Sequence, residues 1–161
     1  MSATSDAAVT LPIAALTTLL AAAVATTFAQ APSAVADYSG DLRSAVAQSR
    51  SGASCGPLRA EPLADQTAEI AVHSTGAYLD HNARVVPVSD PLPILKDLGV
   101  PAAKAKLLQG AGKSEADAIK SILIAGYKDL RDCSYTAYGS SALPNSNTDS
   151  WYLATVVLVE T

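Results

Sequence analysis

An α/β fold, arranged as a three-layer α/β/α sandwich around a small sheet, is what this sequence predicts. Two observations carry that expectation. The last segment, WYLATVVLVE, is apolar at its odd positions (Trp151, Leu153, Val157, Val159) and also at its even ones (Tyr152, Ala154, Val156, Leu158). A strand apolar on both faces is covered on both faces. The covering elements precede it, as segments whose apolar residues recur at helical rather than alternating spacing.

The elements follow in chain order. DLRSAVAQSR (41–50) places Leu42, Ala45, Val46 and Ser49 on one side of a short helix, and the Gly/Ser-rich SRSGASCGPL ends it. EPLADQTAEIAVHSTGAYLDH (61–81) reads as a second helix with Pro62 in its first turn. Leu63, Thr67, Ile70, Ser74, Ala77, Tyr78 and His81 form its expected buried stripe. In the Pro-rich passage after it, Asp90 caps a short helix that Gly99 and Pro101 end. A further short helix is expected from Pro101 to Gln109, with Gly110 as its left-handed stop. Ser114 caps the next helix, Asp117 completes a capping box, and Ala118, Ile119, Ile122, Leu123 and Gly126 form its core face. CSYTAYGSSAL and WYLATVVLVE are the two strands, separated by the polar PNSNTDS.

GAGKS (110–114) resembles the end of a phosphate-binding loop, but that loop needs a glycine where this chain has Leu107, and a strand in front of it. Helix formers precede it here, so its glycines are expected to end one helix and its serine to begin another.

At 161 residues the chain has room for one domain besides its N-terminus. Residues 1–36 have no Lys or Arg, one acid (Asp6), an apolar run from Leu11 to Ala29, and Ala34-Val35-Ala36 as a small-x-small cleavage site. The expectation is a secretory signal peptide at 1–36 and a single domain at 37–161; the rival for the N-terminus is an uncleaved anchor. Setting aside Asp6, 14 acids face 11 bases, a net charge of −3. That balance gives no reason to expect nucleic acid as a partner. Lys96, Lys104, Lys106, Lys113, Lys120, Lys128 and Arg131 are interleaved with acids, as on solvated helix faces. In an exported chain the pair Cys55 and Cys133 is expected to form a disulfide.

Four stretches in this order resemble the CAP superfamily of cysteine-rich secretory, antigen 5 and pathogenesis-related proteins, and in particular its short bacterial, actinobacterial-type secreted members. They are Cys55-Gly56-Pro57-Leu58 after a short helix, the Ala-rich helix 64–79 ending in Asp80-His81, the helix 114–127, and Cys133-Ser134-Tyr135-Thr136-Ala137-Tyr138-Gly139 followed by the aromatic-led strand at Trp151-Tyr152. They cover most of residues 41–160. The resemblance implies a central, mainly antiparallel sheet. It also implies a cleft where relatives hold a divalent metal with two histidines and two acids. Of that set only His81 carries over. Gly126-Tyr127 stands where relatives have Gly-His, and Lys106-Leu107-Leu108-Gln109 stands where they have Gly-Glu-Asn. A phenol of pKa about 10 is a poor replacement for imidazole, and one histidine without carboxylates forms neither a metal cage nor an acid–base pair. The expected cleft residues are therefore His81, Tyr127 and Gln109, with no metal, no cofactor and no assigned catalytic residue; His81 is either a relic of the site or a helix-end residue. His73 lies off the stripe and about 12 Å along the axis from His81, too far to share a metal with it. No Gly-x-Ser-x-Gly elbow selects a nucleophile.

The function expected is a secreted or envelope-attached, non-catalytic CAP-like domain binding a lipid, another small apolar molecule or a partner protein. The membrane enters only through an uncleaved N-terminus. The alternative is a residual hydrolase or metal-dependent enzyme working through His81.

Overall fold

The computed structural model describes residues 39–145 and 151–161, so the signal or anchor expected at 1–36 lies outside the described residues. The elements are α1 (Ser39–Ser51), β1 (Arg59–Ala60), α2 (Pro62–Leu79), α3 (Leu92–Asp97), β2 (Lys104–Gly112), α4 (Glu115–Ala125), α5 (Tyr127–Leu130), β3 (Ala137–Asn145) and β4 (Trp151–Glu160). The sheet order is β1-β3-β4-β2. Only the two-residue β1 runs parallel to its neighbour; β3 and β2 both pair antiparallel with β4.

The two-sided β4 has the consequence its sequence implied. Its even residues Ala154, Val156 and Leu158 join Leu42, Val46, Ile122 and Leu130 in one core, under α1, α4 and α5. Its odd residues Val157 and Val159 join Ala64, Ala68 and Leu95 in a second core, under α2 and α3. The three-layer sandwich with a mainly antiparallel sheet is thus the observed architecture.

Residues 101–109 do not form the expected helix. Lys104–Gly112 is a strand paired with β4 along its whole length, from Lys104 opposite Glu160 to Gly112 opposite Tyr152. Helix propensity separates Lys, Ala, Leu and Gln from strand formers by only tenths of a kcal/mol per residue. A nine-residue ladder that seats Leu107 in one core and Leu108 in the other outweighs it. Gly110 and Gly112 accordingly end no helix. A Cβ on Gly110 would overlap the Ala118 carbonyl, and one on Gly112 would overlap Asp117, so the pair lets α4 lie directly on the strand. Ser114 does begin α4: its Oγ accepts from the Asp117 N–H at 3.2 Å and donates to the Asp117 carboxylate at 2.7 Å.

The stripe on α2 is also corrected. The buried residues are Ala64, Thr67, Ala68, Ala71, Val72 and Gly76, while Ile70 and Tyr78 are exposed. The helix is rotated by about a third of a turn from the expected phase. Close approach decides this: a Cβ on Gly139 of β3 would overlap the backbone of Ala64, so the face that meets the sheet must be the one with small side chains. Ser140, next along β3, is 3 % exposed and its hydroxyl has no partner among the described residues. Ser140→Ala removes that unpaired group, and a denaturant titration should show a gain of about 1 kcal/mol.

Cys55 and Cys133 are bonded as expected. Beside them Arg50, the last buried residue of α1, is 3 % exposed. Its guanidinium donates to four backbone carbonyls: Gly56 (3.0 Å), Leu130 (3.1 Å), Asp132 (2.8 Å) and Tyr135 (2.8 Å). The planar fork of donors satisfies four acceptors from two distant segments, which a lysine ammonium cannot do.

Candidate functional site

Where the C-terminal half of α2 faces the second half of β2, a cleft of about 260 Å³ opens at the sheet edge. Val72 and Leu79 of α2 and Leu153 of β4 supply apolar wall; Thr75, Gln109 and Thr155 supply polar groups. The register explains the grouping. Gln109 lies opposite Thr155 and Ala111 opposite Leu153, so all four sit on the α2 side of the sheet.

The polar groups form a directed chain. Gln109 Nε2 donates to Thr75 Oγ1 at 2.8 Å, and Thr75 Oγ1 donates to the Ala71 carbonyl at 3.0 Å. With the Thr75 hydroxyl so committed, Gln109 retains its carbonyl oxygen and one amide hydrogen for a ligand. No side chain lining the cleft is ionisable among the described residues. The arrangement can hold a neutral polar head beside an apolar body. It offers no general base and no charge to stabilise a developing ion.

The expected cleft residues fall in three different places: Gln109 on β2, His81 just past the end of α2, and Tyr127 on α5. Gln109 lines the cleft, whereas His81 and Tyr127 do not. His81 has φ 57° and ends α2. The His81 N–H donates to the Tyr78 carbonyl at 3.1 Å and the Asn82 N–H to the Ala77 carbonyl at 2.8 Å. That is a Schellman stop with histidine in its left-handed position, one that non-glycine residues rarely take. Tyr127 is exposed at the start of α5, with the Arg131 guanidinium 5.2 Å from its ring centre. His73 is exposed on α2 with Glu69 at 4.0 Å. Among the described residues no three of His, Cys, Asp and Glu converge on a point fit for a metal ion. Thr75, Leu79 and Thr155 carry no mark in the sequence as read above. The expected phase of α2 hides the first two, and reading 101–109 as helix hides the strand register that brings in the third.

One polar cluster elsewhere has a nucleophile beside an amine. Lys104 Nζ lies 3.0 Å from both Ser134 Oγ and an Asp132 carboxylate oxygen, and 4.3 Å above the Tyr135 ring. The hydrogen bond to Asp132, foremost among its influences, raises the Lys104 pKa above its ordinary value. A lysine so held stays protonated and cannot take the serine's proton. The cluster therefore fastens the start of β2 to the disulfide segment. Asp132 is held down from the usual 3.8 to about 2, first by the Ser134 backbone N–H and then by Lys104. Its folded pKa lies below its unfolded one, so its contribution is present above about pH 4 and is lost as the pH falls towards 2. In Asp132→Asn the fall in melting temperature between about pH 4 and pH 2 should be shallower than in the unaltered protein.

No family profile and no curated protein matches the chain. Solved structures do. An outer surface protein of Borrelia burgdorferi superposes with a TM-score of 0.60 at 14% identity, over 78% of this chain and 93% of that one. A cysteine-rich secretory protein of Staphylococcus aureus superposes with a TM-score of 0.57 at 12% identity, over 75% of this chain. Only 38% of the staphylococcal protein's length is spanned. At such identities the likeness is one of fold, and the fold shared with the cysteine-rich secretory protein is the one the sequence resemblance implied.

Proposed function

Because the chain carries the fold of the CAP superfamily, we propose that it is an exported, non-catalytic domain whose α2–β2 cleft binds a small, mainly apolar molecule with a neutral polar head. The observation that carries this reading is the chemistry of the cleft. Its apolar wall is joined by an amide and hydroxyls, with no acid, base or cation among the lining side chains described. A mostly apolar pocket with a few convergent polar groups is the usual form of a small-molecule site. Export is supported by the signal-like sequence at 1–36, by the disulfide, and by the surface or secretory character of the two similar structures.

The rival is a metal-dependent or hydrolytic enzyme working through His81. Elemental analysis of the purified, oxidised protein separates the two. Zinc well below one ion per chain is expected, with the same content in His81→Ala. Stoichiometric zinc that is lost in His81→Ala would overturn the reading.

A further inference from the structure

The outer face of α4 and α5 carries two large apolar side chains that neither core takes up. Ile124 is 68 % exposed and Tyr127 58 % exposed. Lys120 and Lys128 stand four residues before and after Ile124, one turn of helix to either side of it. Both lysines are exposed and form no ion pair among the described residues. The row continues from α4 into α5 because the helical path carries on through Gly126. The Gly126 N–H donates to the Ile122 carbonyl at 2.7 Å and the Leu130 N–H to the Gly126 carbonyl at 2.9 Å. Arg131 extends the row with its guanidinium over the Tyr127 ring.

A further base borders this row. Lys106 is exposed on β2, on the same side of the sheet as Leu108, whose side chain packs at Gly126. The acids that alternate with these bases in the sequence are turned elsewhere by the fold. At the α-helical period Glu115 lies about 180° and Asp129 about 140° round the axis from Ile124. Asp117 is on the near side but two turns back towards the start of α4, and its carboxylate accepts the Ser114 hydroxyl. A chain of net charge −4 thus presents here a cationic strip with two apolar side chains set into it.

We propose that this face docks on the surface of an anionic phospholipid bilayer. Lys106, Lys120, Lys128 and Arg131 meet the phosphate headgroups, and Ile124 and Tyr127 enter the interface between them. Charge complementarity selects an anionic partner, and the composition of the strip selects lipid over protein. Lysine is depleted from interfaces between proteins, whereas lysines beside exposed apolar residues are the mark of helices that lie on membranes. The amphipathic ring of Tyr127 suits the headgroup level. This contact needs no N-terminal anchor and is independent of the Gln109 cleft.

The purified, disulfide-bonded protein is sedimented with vesicles of phosphatidylglycerol and phosphatidylcholine in equal parts, and with vesicles of phosphatidylcholine alone. The binding constant on the anionic vesicles should be higher by at least about tenfold, and should fall as salt is added. Lys120→Glu combined with Lys128→Glu should lower it by at least about tenfold at an unchanged melting temperature, since neither lysine has an ionic partner to lose. Ile124→Ser should lower it by about fivefold. Equal binding to the two kinds of vesicle would overturn the proposal, as would unchanged binding in the double lysine variant. A surface made for an acidic protein would instead bind polyglutamate as tightly as the anionic vesicles, with no effect of Ile124→Ser; that result would overturn it too.

Discussion

Arg50→Ala is expected to destabilise the protein by about 3–5 kcal/mol, enough to leave little folded protein. The reason lies in what the guanidinium leaves behind. Its removal strands the carbonyls of Gly56, Leu130 and Tyr135 and leaves that of Asp132 with the Tyr135 N–H alone. Each buried acceptor without a partner costs about 1–3 kcal/mol before water reaches it. Arg50→Lys should recover only part of the loss, because one ammonium on a flexible stem cannot reach two segments with fixed geometry. Urea unfolding of the three proteins measures this. An unaltered midpoint in Arg50→Ala would show that the four bonds contribute nothing.

Replacing both cysteines by serine should cost about as much. The bond joins residues 78 apart in sequence, and for a loop of that length the chain-entropy model gives about 4.5 kcal/mol. The two losses should not add. Gly56 adjoins Cys55 and Asp132 adjoins Cys133, so Arg50 and the disulfide hold the same pair of segments together. Once either link is gone those segments separate, and the other has less left to hold. A double-mutant cycle should therefore show a coupling energy of about 1 kcal/mol or more. Where Arg50→Ala proves too unstable, Arg50→Lys serves as the second arm of the cycle.

How much of this is legible in the sequence depends on whether a segment's own residues or its neighbours decide its structure. β4 announces its two covered faces, and Ser114 with Asp117 announces the start of α4, because the signal and the cause lie in the same few residues. Gly99 is likewise legible as the end of α3, where it has φ 85°. β2 is not, because its residues favour helix locally and only the free edge of β4 makes them a strand. The glycines at 110 and 112 hold the overlooked clue: a helix stop needs one glycine, whereas spacing by two marks one face of a strand approached closely by another element. The phase of α2 is misleading wherever bulk is taken as the mark of burial. On a helix pressed against Gly139 the alanines are inside, and Ile70 and Tyr78 are left outside.

The candidate site inherits both errors. Gln109 stands out by its place in the family-like pattern, but as the end of a helix it would have no route to Thr75. As a strand residue opposite Thr155 it has one, at 2.8 Å. His81 draws attention as the one retained histidine, and its backbone role as a helix stop gives a reason for its position that involves no ligand. The buried Arg50 gives no sequence signal. An arginine ending a short helix reads as surface, and three of its carbonyl partners come from segments 80 to 85 residues away.

The most direct test of the neutral binding cleft is mass spectrometry of organic extracts from the protein purified under non-denaturing conditions. Ala111→Trp, which fills the cleft from an exposed position on its wall, is extracted in parallel. A reproducible apolar molecule bearing a hydroxyl or carbonyl head, present at close to one per chain and lost in Ala111→Trp, is the expected result. Equal extracts from the two proteins, with no such molecule enriched in the unaltered one, would contradict it.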